Sequence, residues 1–207
     1  MARILVFGDS TSHGKWDYKM GGWVQRLSNF LDEKSSSDPN FDYSGYNLSI
    51  SGDTTKEILE RFEFEAKQRL KEEGGIIIFA IGLNDSCSGR LAVSPAKFRE
   101  NVQKLIDLAR KFSSKIIFIG LTPVEDSKVN LMPWAIDMSY SLERVKKYNG
   151  ILRAVCNENS VYFIEIFERF VENNYQKLLQ DGAHPNSEGH KKIFEIVKDF
   201  LIQKKII

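Results

Sequence analysis

Short apolar strands alternate with amphipathic helices along the 207 residues, a pattern that specifies a doubly wound α/β fold. Gly75-Ile76-Ile77-Ile78-Phe79-Ala80-Ile81 is apolar throughout, and Ile116-Ile117-Phe118-Ile119-Gly120-Leu121 is apolar over most of its length. Strands that are apolar on both faces belong in a parallel sheet covered by helices on each side. The intervals between strands carry apolar residues at helical spacing, which supplies those covering layers.

Taken in order, residues 3–7 form the first strand, and Trp23, Leu27, Phe30 and Leu31 share one face of the first long helix. Residues 34–44, rich in Ser, Asp, Pro and Asn, read as a surface loop. The second strand covers 45–50, and Ile58, Leu59, Phe62, Ala66 and Leu70 mark the next helical face. After the strand at 75–81, Ser94 is placed to cap a helix with Pro95 at its first position, and Phe98, Val102, Leu105, Ala109 and Phe112 line its inner face. The fourth strand covers 115–121. A long irregular stretch follows at 122–136 with Pro123, Met132, Pro133 and Trp134, a candidate lid or substrate wall. Leu142, Val145, Ile151, Leu152 and Val155 form another helical face, 161–166 the fifth strand, and a last helix begins near Ser187 with Ile193, Ile196, Val197 and Phe200 inward.

With 42% hydrophobic and 28% charged residues, the chain has apolar material for a full core, and its length fits one domain over 1–207. A net charge of +1, from 29 basic and 28 acidic residues, leaves no electrostatic footprint for nucleic acid or an anionic membrane. The N-terminal apolar run is too short for a signal h-region, and no stretch reaches the length of a membrane span. Cys87 and Cys156 make no disulfide framework, so the expected protein is cytoplasmic with two free thiols.

In open α/β sheets ligands bind at the carboxyl ends of the strands, and four polar motifs fall there. Gly8-Asp9-Ser10 follows the first strand, Ser51-Gly52-Asp53-Thr54 the second and Gly82-Leu83-Asn84-Asp85 the third, while Asp181 and His184 precede the last helix. A serine hydroxyl needs a base to take its proton, and His184 suits that task near neutral pH. Asp181, three residues earlier, is close enough to fix the imidazole tautomer. The backbone N–H groups of Ser10 and Gly52 and the Asn84 side-chain amide are candidate oxyanion donors, each worth about 3 kcal/mol. Glycine at 52 keeps a Cβ out of the oxyanion's way.

These blocks, in this order, resemble the SGNH hydrolases, also called GDSL lipases and esterases, which are named for an invariant serine, glycine, asparagine and histidine. Ser10, Gly52, Asn84 and the Asp181/His184 pair match the four blocks, which span residues 8 to 186. The resemblance implies a three-layer α/β/α, flavodoxin-like fold with a five-stranded parallel sheet, and hydrolysis of an ester or thioester through an acyl-enzyme. Thr11 stands where the family's short name has leucine, a departure that bears on subfamily rather than chemistry.

Other residues receive plainer roles. Asp9 is expected to hydrogen-bond its own loop, Asp53 and Thr54 to cap the following helix, Asp85 to brace the Asn84 loop, and His190 to be structural. His13, Trp16, Met132 and Trp134 are candidates for the wall of the substrate pocket, with ordinary packing an equal alternative for the aromatic and methionine side chains. Three scattered histidines make no zinc site, so neither a metal nor another cofactor is expected. Gly8 to Lys15 is no P-loop, because five residues rather than four separate Gly8 from Gly14 and Trp16 stands where Ser or Thr should hold magnesium. A Gly-x-Gly-x-x-Gly fingerprint and a Gly-x-Ser-x-Gly elbow are both absent. A small ester or thioester is the expected partner: an acetylated sugar, a lysophospholipid or an acyl thioester. Two rivals stand beside hydrolysis: acyl transfer through the same residues to an acceptor other than water, and a non-catalytic module that keeps the fold.

Overall fold

In the computed structural model, which describes residues 2–70, 75–130, 137–172 and 174–207, β1 (Ala2–Gly8) is the strand around which the others are arranged. It runs into a four-residue helix, α1 (Ser10–His13), and then α2 (Gly22–Ser37) leads to β2 (Tyr43–Asn47). The chain continues through α3 (Thr55–Arg69), β3 (Ile76–Ala80), α4 (Pro95–Ala109) and β4 (Lys115–Ile119). Next come α5 (Asp126–Val129), α6 (Leu142–Glu158), β5 (Tyr162–Ile164), α7 (Phe167–Val171), a 3₁₀ turn at Tyr175–Leu178 and α8 (Ser187–Gln203).

All four strand pairings are parallel, in the order β2-β1-β3-β4-β5. This is the α/β architecture expected from the buried strands and from the resemblance. Alternate residues of β1 face opposite layers. Leu5 and Phe7 pack with Phe62, Phe79, Phe98 and Phe118 under α3, α4 and α6. Ile4 and Val6 pack with Trp23, Leu27, Ile78, Ile117 and Val197 under α2 and α8. The Phe7–Phe62 and Phe79–Phe118 ring centroids lie 5.0 and 4.8 Å apart. Each of these fully buried side chains contributes on the order of 1.5–3 kcal/mol.

The strand order fixes where a site can form. Chain progression from β1 goes outward to β2, then crosses back to β3 on the other side of β1. That reversal opens a crevice at the carboxyl ends of β1, β2 and β3.

Two sequence expectations need correction. The loop expected at 34–44 covers only residues 38–42, because α2 extends to Ser37 and β2 begins at Tyr43. The Ser36 and Ser37 hydroxyls donate to the Glu33 and Lys34 carbonyls, at 2.7 and 3.0 Å, so the serines close the helix instead of leaving it. The early start of β2 was hidden because Tyr-Ser-Gly-Tyr-Asn is a half-buried edge strand with no apolar run. Beyond Asn47 the chain still tracks β1, since the Leu48 and Ile50 N–H groups donate to the Val6 and Gly8 carbonyls at 2.8 and 3.1 Å. This carries residues 50–53 alongside Gly8-Asp9-Ser10.

The expected lid at 122–136 is only partly described. Residues 122–130 pack against the Asp181–His184 loop: Glu125 N–H donates to the Gly182 carbonyl at 2.7 Å, and the buried Tyr175 hydroxyl donates to the Val124 carbonyl at 3.0 Å. Met132 and Trp134 lie outside the described residues.

Candidate active site

Asp9 follows β1 in an extended conformation, and its carboxylate accepts from Thr11 N–H at 2.9 Å, capping α1. The cap is therefore Asp9, as the loop-bonding expectation for it required, and Ser10 is free of that duty. Burial pushes the Asp9 carboxyl up to about 6. Ser10 occupies the first helical position, where the backbone N–H has no intrahelical acceptor.

His184 and Asp181 sit in a short loop closed on itself. Gln180 N–H donates to the His184 carbonyl at 2.9 Å and Asn186 N–H to the Leu178 carbonyl at 2.8 Å. Gly182 makes the turn at φ +89°. Asn186 caps α8 through Gly189 N–H at 3.0 Å, which leaves the imidazole free to face β1. Ser10 Oγ lies 2.8 Å from His184 Nε2, and His184 Nδ1 lies 2.7 Å from Asp181 Oδ2. Asp181 Oδ1 also accepts from the Ala183 and His184 backbone N–H groups at 3.0 and 2.8 Å. Burial raises the Asp181 carboxyl, but the His184 hydrogen bond and charge, with the two backbone donors, outweigh it and hold the group well below the usual carboxylate range.

The second and third motifs close the site. Asp53 N–H donates to the Ile50 carbonyl at 3.2 Å, forming a turn in which Gly52 has φ +93°. A Cβ at residue 52 would meet nothing within 4 Å, so the left-handed backbone requires the glycine and crowding does not. Asn84 is held from both ends: its Nδ2 donates to the Asp53 carbonyl at 2.8 Å, and Tyr140 donates its hydroxyl to Oδ1 at 2.8 Å. An amide nitrogen carries two hydrogens, and this arrangement uses one.

Ser10, Gly52, Asn84 and His184 line one cleft of about 260 Å³, together with Met138 and Tyr140, and Lys15 and Arg90 stand in its wall. A larger groove of about 610 Å³ between α3 and α4 shares no residue with it and holds no nucleophile–base pair. His13 and Trp16 are not among the cleft's lining residues. His13 is exposed at the end of α1, and the Trp16 indole instead donates to Asp181 Oδ2 at 2.7 Å. Tyr140 and Met138 went unnoticed in the sequence because they follow an irregular stretch with no period to orient them.

The supporting residues differ partly from expectation. Thr54 alone caps α3, in a reciprocal capping box with Glu57. The Asp53 carboxylate instead pairs with Arg61 at 2.8 Å, eight residues further along the chain on α3. Asp85 does brace the Asn84 loop: its buried carboxyl accepts from Thr55 N–H at 3.1 Å and from the Thr55 hydroxyl, and burial pushes it up to about 7. His190 is fully buried, with Nε2 2.8 Å from the Lys15 carbonyl. Cys87 and Cys156 are free and buried, and burial pushes their thiols up to about 11 and about 12, far from a reactive thiolate.

The model of the GDSL-like Lipase/Acylhydrolase family matches residues 6–192, from β1 into α8 and across every motif above. The chain belongs to this family. Among the relatives, the esterase TesA of Pseudomonas aeruginosa is 25% identical over 194 residues, 94% of this chain and 85% of that protein. The uncharacterized lipoprotein YqeF of Bacillus subtilis is 26% identical over 226 residues, covering 98% and 90% of the two chains. The crystal structure of a lipase/acylhydrolase from Enterococcus faecalis has the same fold, with a TM-score of 0.76 at 21% identity over 99% of this chain and 97% of that one. By family the chain is a GDSL-type carboxylic ester hydrolase. Among the described residues no helix is long and apolar enough to cross a membrane.

Proposed function

We propose that this GDSL hydrolase cleaves a small ester or thioester through an acyl-enzyme on Ser10, with His184 as general base and Asp181 orienting it. The observation that carries the reading is the unbroken line from Ser10 Oγ to His184 Nε2 to Asp181, at 2.8 and 2.7 Å. An ionised Asp181 accepts the Nδ1 proton, which leaves the Nε2 lone pair facing the serine. His184 takes the hydroxyl proton as Oγ attacks the carbonyl carbon, then returns it to the departing alcohol or thiol. Water repeats the sequence on the acyl-enzyme, and Ser10 regains its proton. The charge on the tetrahedral oxygen falls to the Ser10 and Gly52 N–H groups and the second Asn84 amide hydrogen. The modest cleft of about 260 Å³ and the esterase TesA among the relatives support a small ester as substrate. A cytoplasmic site of action belongs to the same reading, supported by the two free, buried thiols.

The decisive experiment is hydrolysis of p-nitrophenyl acetate combined with labelling by a fluorophosphonate. Activity should be lost in step with a single adduct on Ser10. An adduct on another residue with parallel loss of activity would remove Ser10 as the nucleophile.

Asn84 provides a separate check. Asn84→Ala should lower kcat by about a hundredfold or more while KM moves little, because an oxyanion donor acts in the transition state. An unchanged kcat would strike Asn84 from that role.

A further inference from the structure

We propose that Trp16 is a positioning residue for the reaction, its indole N–H holding the Asp181 carboxylate in the orientation His184 needs. This rests on the proposed role of Asp181 as the orienting acid.

Asp181 Oδ2 receives two donors at 2.7 Å, His184 Nδ1 and Trp16 Nε1. With the Ala183 and His184 backbone donors on Oδ1, the carboxylate is held by four hydrogen bonds. A carboxylate offers about four lone-pair sites, two on each oxygen, and the indole fills the second site on Oδ2. It pins the rotation of the carboxylate plane, because a second fixed donor on Oδ2 resists any swing that would turn that oxygen from the imidazole. An indole is suited to this, since it only donates and cannot reverse the bond.

The surrounding loop is built to hold the indole there. Trp16 has φ +71°, a conformation rare for a bulky side chain and costing of order 1–3 kcal/mol. Its neighbours on both sides are clamped. The Lys15 carbonyl faces buried His190 of α8 at 2.8 Å. The Asp17 carboxylate accepts from Gly22 N–H at 3.2 Å and from Arg26 Nε at 3.1 Å, and Arg26 donates to the Ser187 hydroxyl at 2.9 Å. Gly14 packs so closely on Gly21 and Gly22 that a Cβ there would fall 2.2 Å from the Gly21 carbonyl oxygen.

The bond also links the two separated segments of the site. Ser10–His184 is one connection between them, and it is lost once Ser10 is acylated. Trp16–Asp181 is a second connection that acylation leaves intact. The Asp181–His184 loop thus stays in place for the water attack that follows.

Trp16→Phe removes the N–H and keeps an aromatic ring. Trp16→3-benzothienylalanine replaces the N–H by sulfur in the same shape, so it tests the bond where the phenylalanine variant might pack poorly. Both should lower kcat on p-nitrophenyl acetate by about tenfold, with KM within about twofold. Wild-type kcat, or a KM raised as far as kcat falls, in the benzothienyl variant overturns the proposal. Ser10→Ala in the same assay keeps the two readings apart: if that variant stays active, the acyl-enzyme reading fails, whatever the Trp16 variants do.

Discussion

Ser10→Ala should lower kcat for p-nitrophenyl acetate by about four orders of magnitude or more and leave the melting temperature close to wild type. The chemical half of this expectation follows from the line of hydrogen bonds that ends on Ser10 Oγ. Without that oxygen, His184 has no nucleophile to deprotonate except water, which the site does not hold at attacking distance by a covalent tether. Some rate above background should survive, because the Gly52 and Asn84 donors and the Ser10 backbone N–H are untouched. The structural half follows from Asp9. It caps α1, so the serine hydroxyl has no cap to lose. A variant with wild-type turnover would end the acyl-enzyme reading, and one that simply unfolds would contradict the capping argument.

Asp181→Asn should lower kcat by about a thousandfold or more near neutral pH. The two backbone N–H groups of Ala183 and His184 require an acceptor at the Oδ1 position, so the new amide must place its oxygen there. Its NH2 group then faces His184 Nδ1 and Trp16 Nε1, two positions that both held donors. To avoid a clash of donors the imidazole must move its proton to Nε2, which is the nitrogen that has to accept from Ser10. A kcat within a few-fold of wild type would remove Asp181 from the orienting role.

The same substitution has a signature in stability. The folded Asp181 carboxyl is held below its ordinary value of 3.8. Its contribution is therefore complete above that value and is lost as pH falls through the lower folded value. The gap in melting temperature between wild type and Asp181→Asn should narrow from about pH 5 to about pH 3. A gap that widens on acidification would contradict the assigned direction.

Much of this was legible from residue order. Ile76 to Phe79 and Ile116 to Ile119 have no polar face, and only a sheet covered on both sides accommodates them. Ser94-Pro95 marks a helix start through local chemistry, the apolar face from Ile193 to Phe200 places another near Ser187, and the structure begins α4 and α8 there. Local chemistry is ambiguous at two places: Lys34 to Ser37 looks like loop and is helix, and Tyr43-Ser44 looks polar and is an edge strand.

By itself, the sequence determined the alternation of layers, the four motifs and their order, since each depends on side chains within a few residues of one another. The tertiary structure decided which groups answer which. Trp16, a candidate for the pocket wall, meets Asp181 across 165 residues of chain. Tyr140 orients Asn84 across 56, and His190 holds the carbonyl of Lys15 across 175. Such bonds depend on strand order, on the left-handed backbone at Trp16 and on a hydrogen-bond geometry that tolerates only tenths of an ångström. Composition and periodicity encode none of these, because they report which face a side chain presents and not what stands opposite it.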